Sequence, residues 1–307
     1  MDSQTRASVV SSTCILCGSS SGDTVLEVPP SPNSPHAFHL IRCSCGLVRT
    51  QPQLTSSELE SYYREGYWSR PKRTDLSAIR RDQRHKIAFL ERFRQSGRLL
   101  DVGCGYGTFL RALDQSRWER FGLEAMPIAH CEASLHLGNT RVFFGELANA
   151  PFSPSHFDVL TFWDVLEHVS DPVSTLQTAF RLLRPGGYLL VSLPNIDSYQ
   201  FRRFRQDWFA LQLPFHLYHF TETTLRRLFS DAGFQVITVE RCAGIINYHS
   251  LKHSLLTRMT RLHGNTPGRL RYYLLKPFLY PWDWLSSTLG GPSSLQLCAR
   301  RPSLQES

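Results

Sequence analysis

No run of apolar residues in this chain is long enough to cross a bilayer, and the polar stretch Met1–Thr13 lacks the apolar segment of a secretory signal. An α-helical membrane span is thereby excluded, and a cytoplasmic protein is expected. Acidic residues are in short supply. Against 34 Lys and Arg stand 26 Asp and Glu, a formal charge of +8. The excess is arginine-rich and clustered, at Arg80, Arg81 and Arg84, at Arg202, Arg203 and Arg205, at Arg226 and Arg227, and at Arg258, Arg261, Arg269 and Arg271. Such clusters suit a phosphate-bearing substrate, an anionic membrane surface or nucleic acid, and also occur on solvated helix faces. No internal repeat is present. At 307 residues, 41% of them hydrophobic, the chain has room for one large core and one or two small additions.

Eight cysteines in a reducing compartment argue for metal or burial rather than disulfides. Cys104, Cys131, Cys242 and Cys298 are scattered and expected to pack as small hydrophobes. The other four form two close pairs, Cys14-Ile-Leu-Cys17 and Cys43-Ser-Cys45, on either side of a Pro/Ser-rich stretch. Four thiolates around one zinc would fold a small module without a hydrophobic core. The second pair is one residue shorter than the usual ligand spacing.

The most informative stretch is residues 98–107, Arg-Leu-Leu-Asp-Val-Gly-Cys-Gly-Tyr-Gly. An apolar strand runs into Asp101 and then into Gly103, Gly105 and Gly107 before a helical pattern that starts at Thr108. Glycines at a strand-to-helix turn let backbone approach a ligand closely, and the free amides of the helix suit an anionic or polar group. A dinucleotide site prefers glycine or alanine where Thr108 stands, and Asp101 suits a cationic or amino-bearing ligand. From Leu99 onward strands and helices alternate, as in a parallel sheet covered on both faces. Strands are expected at Glu119–Glu124, Thr140–Phe144, Phe157–Trp163, Tyr188–Leu193, Phe234–Glu240 and Leu295–Ala299. A helix opens at Asp171-Pro172, and another runs from Thr221 to a cap at Gly233. Upstream, Ser57 and Glu60 have capping-box spacing, and a charged helix spans about Leu76 to Gln95. Glu124 ends the second strand, 21 residues after Gly103, where an acid accepts hydrogen bonds from ribose hydroxyls. The fourth strand runs into Trp163-Asp-Val-Leu-Glu167-His168, placing an acid and an imidazole at the carboxyl edge of the sheet.

Four motifs follow one another in order: Asp101-Val-Gly-Cys-Gly-Tyr-Gly, Phe157-Asp-Val, Leu166-Glu-His-Val-x-Asp-Pro172 and Leu183-Arg-Pro-Gly-Gly187. Together they resemble the class I S-adenosylmethionine (SAM) methyltransferases related to the ubiquinone-biosynthesis O-methyltransferases. The front end and the segment Pro214-Phe-His216-Leu-Tyr-His219-Phe220 resemble a subset with an N-terminal zinc ribbon, which includes sugar C-methyltransferases. The resemblance implies an α/β, Rossmann-like seven-stranded sheet with a zinc-ribbon-like module at 1–50 and a helical cap with an aromatic cluster at 51–97. The SAM-binding core would be 98–245, a helical insertion 246–291, and the last strand and tail 292–307. It implies SAM contacts from Asp101, Gly103, Cys104, Gly105 and Gly107. Further contacts would come from Glu124, Ala125 and Met126 at the ribose and adenine, and from Glu146, Leu147 and Trp163. Structural zinc would sit on Cys14, Cys17, Cys43 and Cys45. His168 is the expected base, with Glu167 at the acceptor. Tyr63 or Tyr67 would come from the aromatic cluster, and His216 and His219 would be second-rank bases.

The acceptor is expected to be a small molecule, methylated on oxygen or carbon, and not a nucleic acid. The chain lacks the Pro-Pro-aromatic segment of amino-methylating DNA enzymes and the loop cysteine of RNA cytosine enzymes. A non-catalytic SAM-binding scaffold, using its zinc ribbon for partner contacts, is the alternative function. Residues 246–291 mix Arg258, Arg261, Arg269, Arg271 and Lys276 with Leu274, Leu275, Phe278, Leu279, Tyr280, Trp282 and Trp284. They read either as a surface touching a membrane or lipid-linked acceptor, or as a helical pair packed as a lid or dimer contact. The second reading is preferred here because aromatic stripes more often make core. A monomer and a homodimer are both compatible with the sequence.

Overall fold

The computed structural model describes residues 13–30, 34–55, 58–59, 62, 75–139, 141–242 and 245–303. The chain divides into two compact units that are discontinuous in sequence. One comprises Met1–Trp68, Pro194–Leu225 and Arg241–Leu295, and the other Ser69–Leu193, Arg226–Glu240 and Gln296–Ser307.

The second unit carries the seven-stranded sheet. Its strands are β4 (Gly97–Val102), β5 (Trp118–Glu124), β6 (Val142–Phe144), β7 (Phe157–Trp163), β8 (Leu183–Pro194), β10 (Gln235–Cys242) and β11 (Ser294–Arg300), in the order β10-β11-β8-β7-β4-β5-β6. β4 pairs in parallel with β5 and β7, β5 with β6, and β7 with β8. β11 runs antiparallel to β8, since Gly186 and Gly187 bond Arg301 while Asn195 bonds Ser293. The order reverses between β4 and β7, and the ligand crevice of such sheets lies at that switch, beyond the carboxyl ends of the strands. β7 is buried at all seven positions, as expected of a central strand with both faces covered. At its start Asp158 accepts from the Arg98 amide (2.8 Å) and pairs with Arg94 and Arg184 (3.3 and 3.0 Å). That lock holds β4 and β7 side by side at the end opposite the crevice.

Helices α1 (Leu76–Glu91), α2 (Thr108–Ala112), α3 (Pro127–Leu137) and α4 (Pro172–Leu182) belong to this unit. α1 starts at Asp75, whose carboxylate accepts from the Ser77 and Ala78 amides, and α4 at Asp171, which accepts from the Ser174 amide. Phe89 and Leu90 of α1 join Leu99, Phe109, Trp118, Val159 and Trp163 in one core.

The first unit has its own sheet and core. β1 (Asp23–Val28), β2 (Phe38–Arg42), β3 (Val48–Gln51) and β9 (Tyr218–His219) form a four-stranded sheet in sequence order. Antiparallel pairing of Val48 with His219 and Arg49 with Tyr218 joins strands about 170 residues apart in the chain. Beside it lie α5 (Tyr199–Phe204), α7 (Ile245–His263), α8 (Asn265–Leu275) and α9 (Leu279–Gly290), after α6 (Glu222–Asp231), whose start is capped reciprocally by Thr221 and Thr224. Leu251, Leu255, Tyr272 and Leu279 share a core with Leu26, Leu40, Val48 and Trp208, so the helical segment 246–291 and the N-terminal strands fold around one cluster. No helix among the described residues is long and apolar enough to cross a membrane.

Several expected boundaries move. β8 begins at Leu183, not Tyr188: Leu183 pairs with Phe157 and Tyr188 with Val159, so residues 184–187 bulge between them, with Gly186 left-handed at φ 79° and its amide donating to the Arg301 carbonyl. The capping box is Thr55 with Glu58: the Glu58 carboxylate accepts from the Thr55 amide at 2.7 Å, and the Thr55 hydroxyl accepts from the Glu58 amide at 3.4 Å. Ser57 and Glu60, together with Tyr63, Tyr67 and Trp68, lie outside the described residues.

Candidate active site

At the carboxyl end of β4 the chain turns through Gly103, Gly105 and Gly107, with φ of 66°, 54° and 70°. All three are left-handed, a conformation glycine adopts without a Cβ penalty. At Gly103 space is decisive as well: a Cβ there would stand 2.6 Å from Cγ2 of Val165, in the loop after β7. The loops that follow β4 and β7 thus converge at the switch point. Cys104, between the glycines, turns its thiol inward, where a Cβ on Gly122 would meet Cys104 Sγ at 2.7 Å. Burial holds that thiol protonated, so only its backbone can face a ligand.

Glu124 ends β5 with its carboxylate divided between two loops. Oε2 accepts from the Gly105 amide and Oε1 from the Met126 amide, both at 2.8 Å. A carboxylate has about four lone-pair positions, so each oxygen keeps one for a hydroxyl of a bound ligand. Burial raises the Glu124 pKa, against the pull of the Met126, Gly105 and Ala125 amides. Asp101 is 2% exposed and accepts from the Thr161 hydroxyl at 2.7 Å. Burial pushes its pKa up to about 7, while the Thr161 hydrogen bond and the Lys86 charge pull it down. The carboxyl is therefore poised to ionise when a positive group arrives.

Past β7, Asp164 takes a left-handed φ of 60°, its amide donating to the Ser192 carbonyl (2.9 Å) and its Oδ1 accepting from the Ser192 hydroxyl (3.3 Å). The short turn Leu166–His168 follows, with Glu167 buried and His168 half-buried. Glu167 is raised well above the usual carboxylate range, first by burial and then by the nearby Asp164 charge. The same burial and like charge favour its protonated form, in which it donates a hydrogen bond. Trp163 packs edge-on against Phe109 at 5.3 Å, with the Lys86 ammonium 5.4 Å from its ring centre. Glu146 is exposed at the start of the turn Leu147–Asn149, Leu147 is buried, Ala125 is exposed and Met126 is half-buried.

Sequence reasoning passed over Lys86, Thr161, Asp164 and Ser192. Lys86 sits on a charged helix with nothing to distinguish it from its neighbours, and Thr161 lies in an apolar run. The one available signal was Asp164, the acid directly after an all-apolar strand end.

In the first unit the four cysteines come together: Cys14 Sγ lies 3.5 Å from Cys45 Sγ, Cys17 Sγ 3.2 Å from Cys43 Sγ, and all four within 4.8 Å of one another. Each pair is a tight turn closed by a left-handed glycine, Gly18 bonding the Cys14 carbonyl and Gly46 the Cys43 carbonyl, both at 2.8 Å. Backbone amides of Leu16, Cys45 and Leu47 donate to the sulfurs of Cys14, Cys43 and Cys45. The shortened second pair reaches the cluster because Cys43 and Cys45 are both presented by that turn. Arg49, buried at 2% exposure, donates to the Ser19 and Ser20 carbonyls beyond the first pair.

His216 and His219 are buried in the same unit. The Thr50 hydroxyl donates to the His216 carbonyl at 2.7 Å, so its oxygen accepts from His219 Nε2–H at 3.0 Å. Burial pushes His219 down to about 3. It is neutral across the physiological range and too weak a base to hold a proton taken from an acceptor. Tyr67 and Tyr63 lie outside the described residues.

A family model described as "Methyltransferase domain" matches residues 76–239, just over half of the chain. The chain belongs to the class I SAM-dependent methyltransferases. Its α/β architecture around a seven-stranded sheet is the fold that the family resemblance implied. It is 34% identical over 110 residues to a ubiquinone biosynthesis O-methyltransferase of Leptothrix cholodnii, covering 34% of this chain and 47% of that one. To the enzyme of the same description from Nitrosospira multiformis it is 30% identical over 164 residues, covering 49% of this chain and 69% of that one. The chain spans about half the length of several such relatives. A solved SAM-dependent methyltransferase from Mesorhizobium loti overlays 74% of this chain and 100% of its own, at 18% identity and a TM-score of 0.49.

Proposed function

We propose that this methyltransferase-family chain moves a methyl group from SAM to an oxygen or carbon atom of a small molecule: a sugar nucleotide, a quinone precursor or a natural product. The supporting observation is the convergence of the glycine turn, Glu124 and the Asp164–His168 loop at the switch between β4 and β7. The residues present fit SAM. Gly103, Gly105 and Gly107 give a left-handed turn with no side chain of its own at those three positions, so its backbone can lie close to a ligand, and Glu124 keeps acceptor capacity beside it. Bound there, SAM supplies an electrophilic methyl group on a cationic sulfur. Asp101 would answer the positive charge through the glycine turn, Glu124 would accept from the ribose hydroxyls, and exposed Glu146 would meet the adenine amino group, with Leu147 and Met126 against the ring.

Transfer from a sulfonium is an in-line displacement, so the remaining work is to hold the acceptor and take its proton. Burial and the Asp164 charge favour the protonated form of Glu167, which makes it the poorer proton acceptor of the pair. His168, half-buried on the same turn, is the base in this reading, and Glu167 orients the acceptor as a donor. The test is calorimetric titration with SAM and its demethylated product, paired with turnover by His168→Ala. Losing a general base costs about 10²–10⁴ in rate. Loss of turnover by that order at unchanged SAM affinity supports the assignment, and full turnover from pH 6 to 9 rejects it.

We further infer that Cys14, Cys17, Cys43 and Cys45 hold one structural zinc. Tetrahedral zinc with bonds of about 2.3 Å sets its sulfurs about 3.8 Å apart, and this cluster is already near that size. Metal analysis of purified protein should give about one zinc per chain. Protein free of zinc and indifferent to a chelator would reject the inference.

A further inference from the structure

Helices α7 to α9 have two faces. Leu251, Leu255, Tyr272 and Leu279 point into the core of their unit. The outer face leaves Leu270, Tyr273, Leu274, Phe278, Tyr280 and Trp284 between 61% and 74% exposed. Scattered apolar residues on a surface need no explanation, but six bulky ones within fifteen residues, on two successive helices and the turn between them, exceed scatter and suit a contact surface.

The arrangement on α8 is specific. At about 100° per residue, Leu270, Tyr273 and Leu274 make one stripe, Arg269 and Arg271 lie about 100° to either side of Leu270, and buried Tyr272 points away. Lys276 follows at the end of the stripe. Apolar residues flanked by long cations, with the opposite face held by protein, is the geometry of a helix lying in a membrane interface, where the cations reach the headgroups. Charge identifies the lipid. Residues 245–291 hold six Lys and Arg and a single acid, Asp283, which is buried. A second copy of the chain docking through the same patch would oppose Arg269, Arg271 and Lys276 to themselves with no exposed acid between them.

We propose that the outer face of α8 and α9, with the turn between them, docks this protein onto an anionic lipid surface. The face is apolar enough to enter the headgroup layer and too short to cross it. The inference stands on this unit alone and does not depend on the acceptor or on catalysis.

The test is sedimentation of the full-length protein with vesicles of phosphatidylcholine alone and with vesicles that also contain phosphatidylglycerol. Binding is expected only to the anionic vesicles, and high salt should release it. Each cation near such a surface contributes about five-fold in partition, so Arg269→Gln with Arg271→Gln should weaken binding about 30-fold. Leu274→Ser with Phe278→Ser removes two anchors from exposed positions and should reduce binding at least as much. Thermal melts of both double variants should match the parent, because none of the four side chains belongs to the core. No pelleting with anionic vesicles, equal pelleting with neutral ones, or binding that survives both double variants would overturn the proposal. So would a dimer in sedimentation velocity that Leu274→Ser with Phe278→Ser dissolves, in the absence of vesicle binding. That result would assign the patch to self-association.

Discussion

Gly103→Ala tests the convergence of the two loops on which the active-site reading depends. Two costs arise, and they are separable. An alanine at φ 66° pays for a left-handed backbone, about 1–2 kcal/mol. Its Cβ also lands 2.6 Å from Val165 Cγ2 and 3.3 Å from Cγ1, an overpacking cost of about 1–3 kcal/mol. The sum is about 2–5 kcal/mol. At about 2–4 °C per kcal/mol for chains of a few hundred residues, the melting temperature should fall by roughly 4–20 °C. Val165→Ala removes both Cγ atoms and leaves Val165 Cβ at 3.5 Å, an ordinary contact. In the double variant the overpacking cost should vanish while the backbone cost stays. A coupling of about 1–3 kcal/mol between the two substitutions is therefore expected in urea unfolding of the four proteins. SAM affinity should follow the same pattern, weak in Gly103→Ala and partly restored in the double variant. Additivity to within about 0.5 kcal/mol would mean that Val165 does not rest on Gly103, and the inferred geometry of the crevice would be wrong.

Other outcomes follow from the same geometry. Glu124→Gln should weaken SAM binding by about 10–100-fold, because an amide cannot accept from both the Gly105 and Met126 N–H groups and also serve two hydroxyls; titration calorimetry measures it, and an unchanged affinity would remove Glu124 from the site. Asp101, raised to about 7 from an unfolded value near 3.8, keeps its proton when folded over a range where the unfolded chain has lost it. Its contribution to stability without ligand must then fall as pH rises from about 4 to 7, by on the order of 4 kcal/mol at most, and level off above. Comparing unfolding of the parent with Asp101→Asn across that range isolates the effect, and identical pH profiles would refute it. Because a cationic ligand favours the carboxylate, SAM binding near pH 6 should release a proton, detectable as a dependence of the binding heat on buffer ionisation enthalpy. Cys17→Ser should lower zinc content and the stability of its own unit more than Cys131→Ser, an exposed cysteine outside the cluster, in metal analysis and thermal melts.

The parts of the fold legible in the sequence were those that local chemistry dictates. Asp171-Pro172 announces a helix start because aspartate accepts from a free amide while proline lacks one, and the structure places that carboxylate on the Ser174 amide. The glycine turn was legible because left-handed backbone needs glycine. Arg184-Pro-Gly-Gly187 does turn, with Gly186 at φ 79°, but as a bulge inside β8, because Leu183 already pairs with Phe157 and Gly186 and Gly187 bond Arg301. Nothing local in Tyr218-His219 says that it pairs with Val48-Arg49. The sequence-ordered division into ribbon, cap, core and insertion does not anticipate a core in which Leu26, Trp208 and Leu255 meet.

The chemistry of the site divides along the same line. Glu124 could be placed by its spacing from Gly103, since strand length and helix length between them are fixed. The state of each acid could not, because a pKa depends on what surrounds the group. Asp101 and Glu167 look alike as letters, and both are buried, yet they end differently. Asp101 has the Thr161 hydroxyl from the neighbouring strand and the Lys86 charge from a helix upstream, so it titrates near neutrality. Glu167 has the Asp164 carboxylate beside it, a like charge that adds to burial in favouring its protonated form. One acid is thus set to ionise against a cation, and the other is biased toward its neutral form. In the proposed mechanism that bias assigns the proton to His168 rather than to Glu167, and it comes from β4, β7 and α1 together and from no single motif.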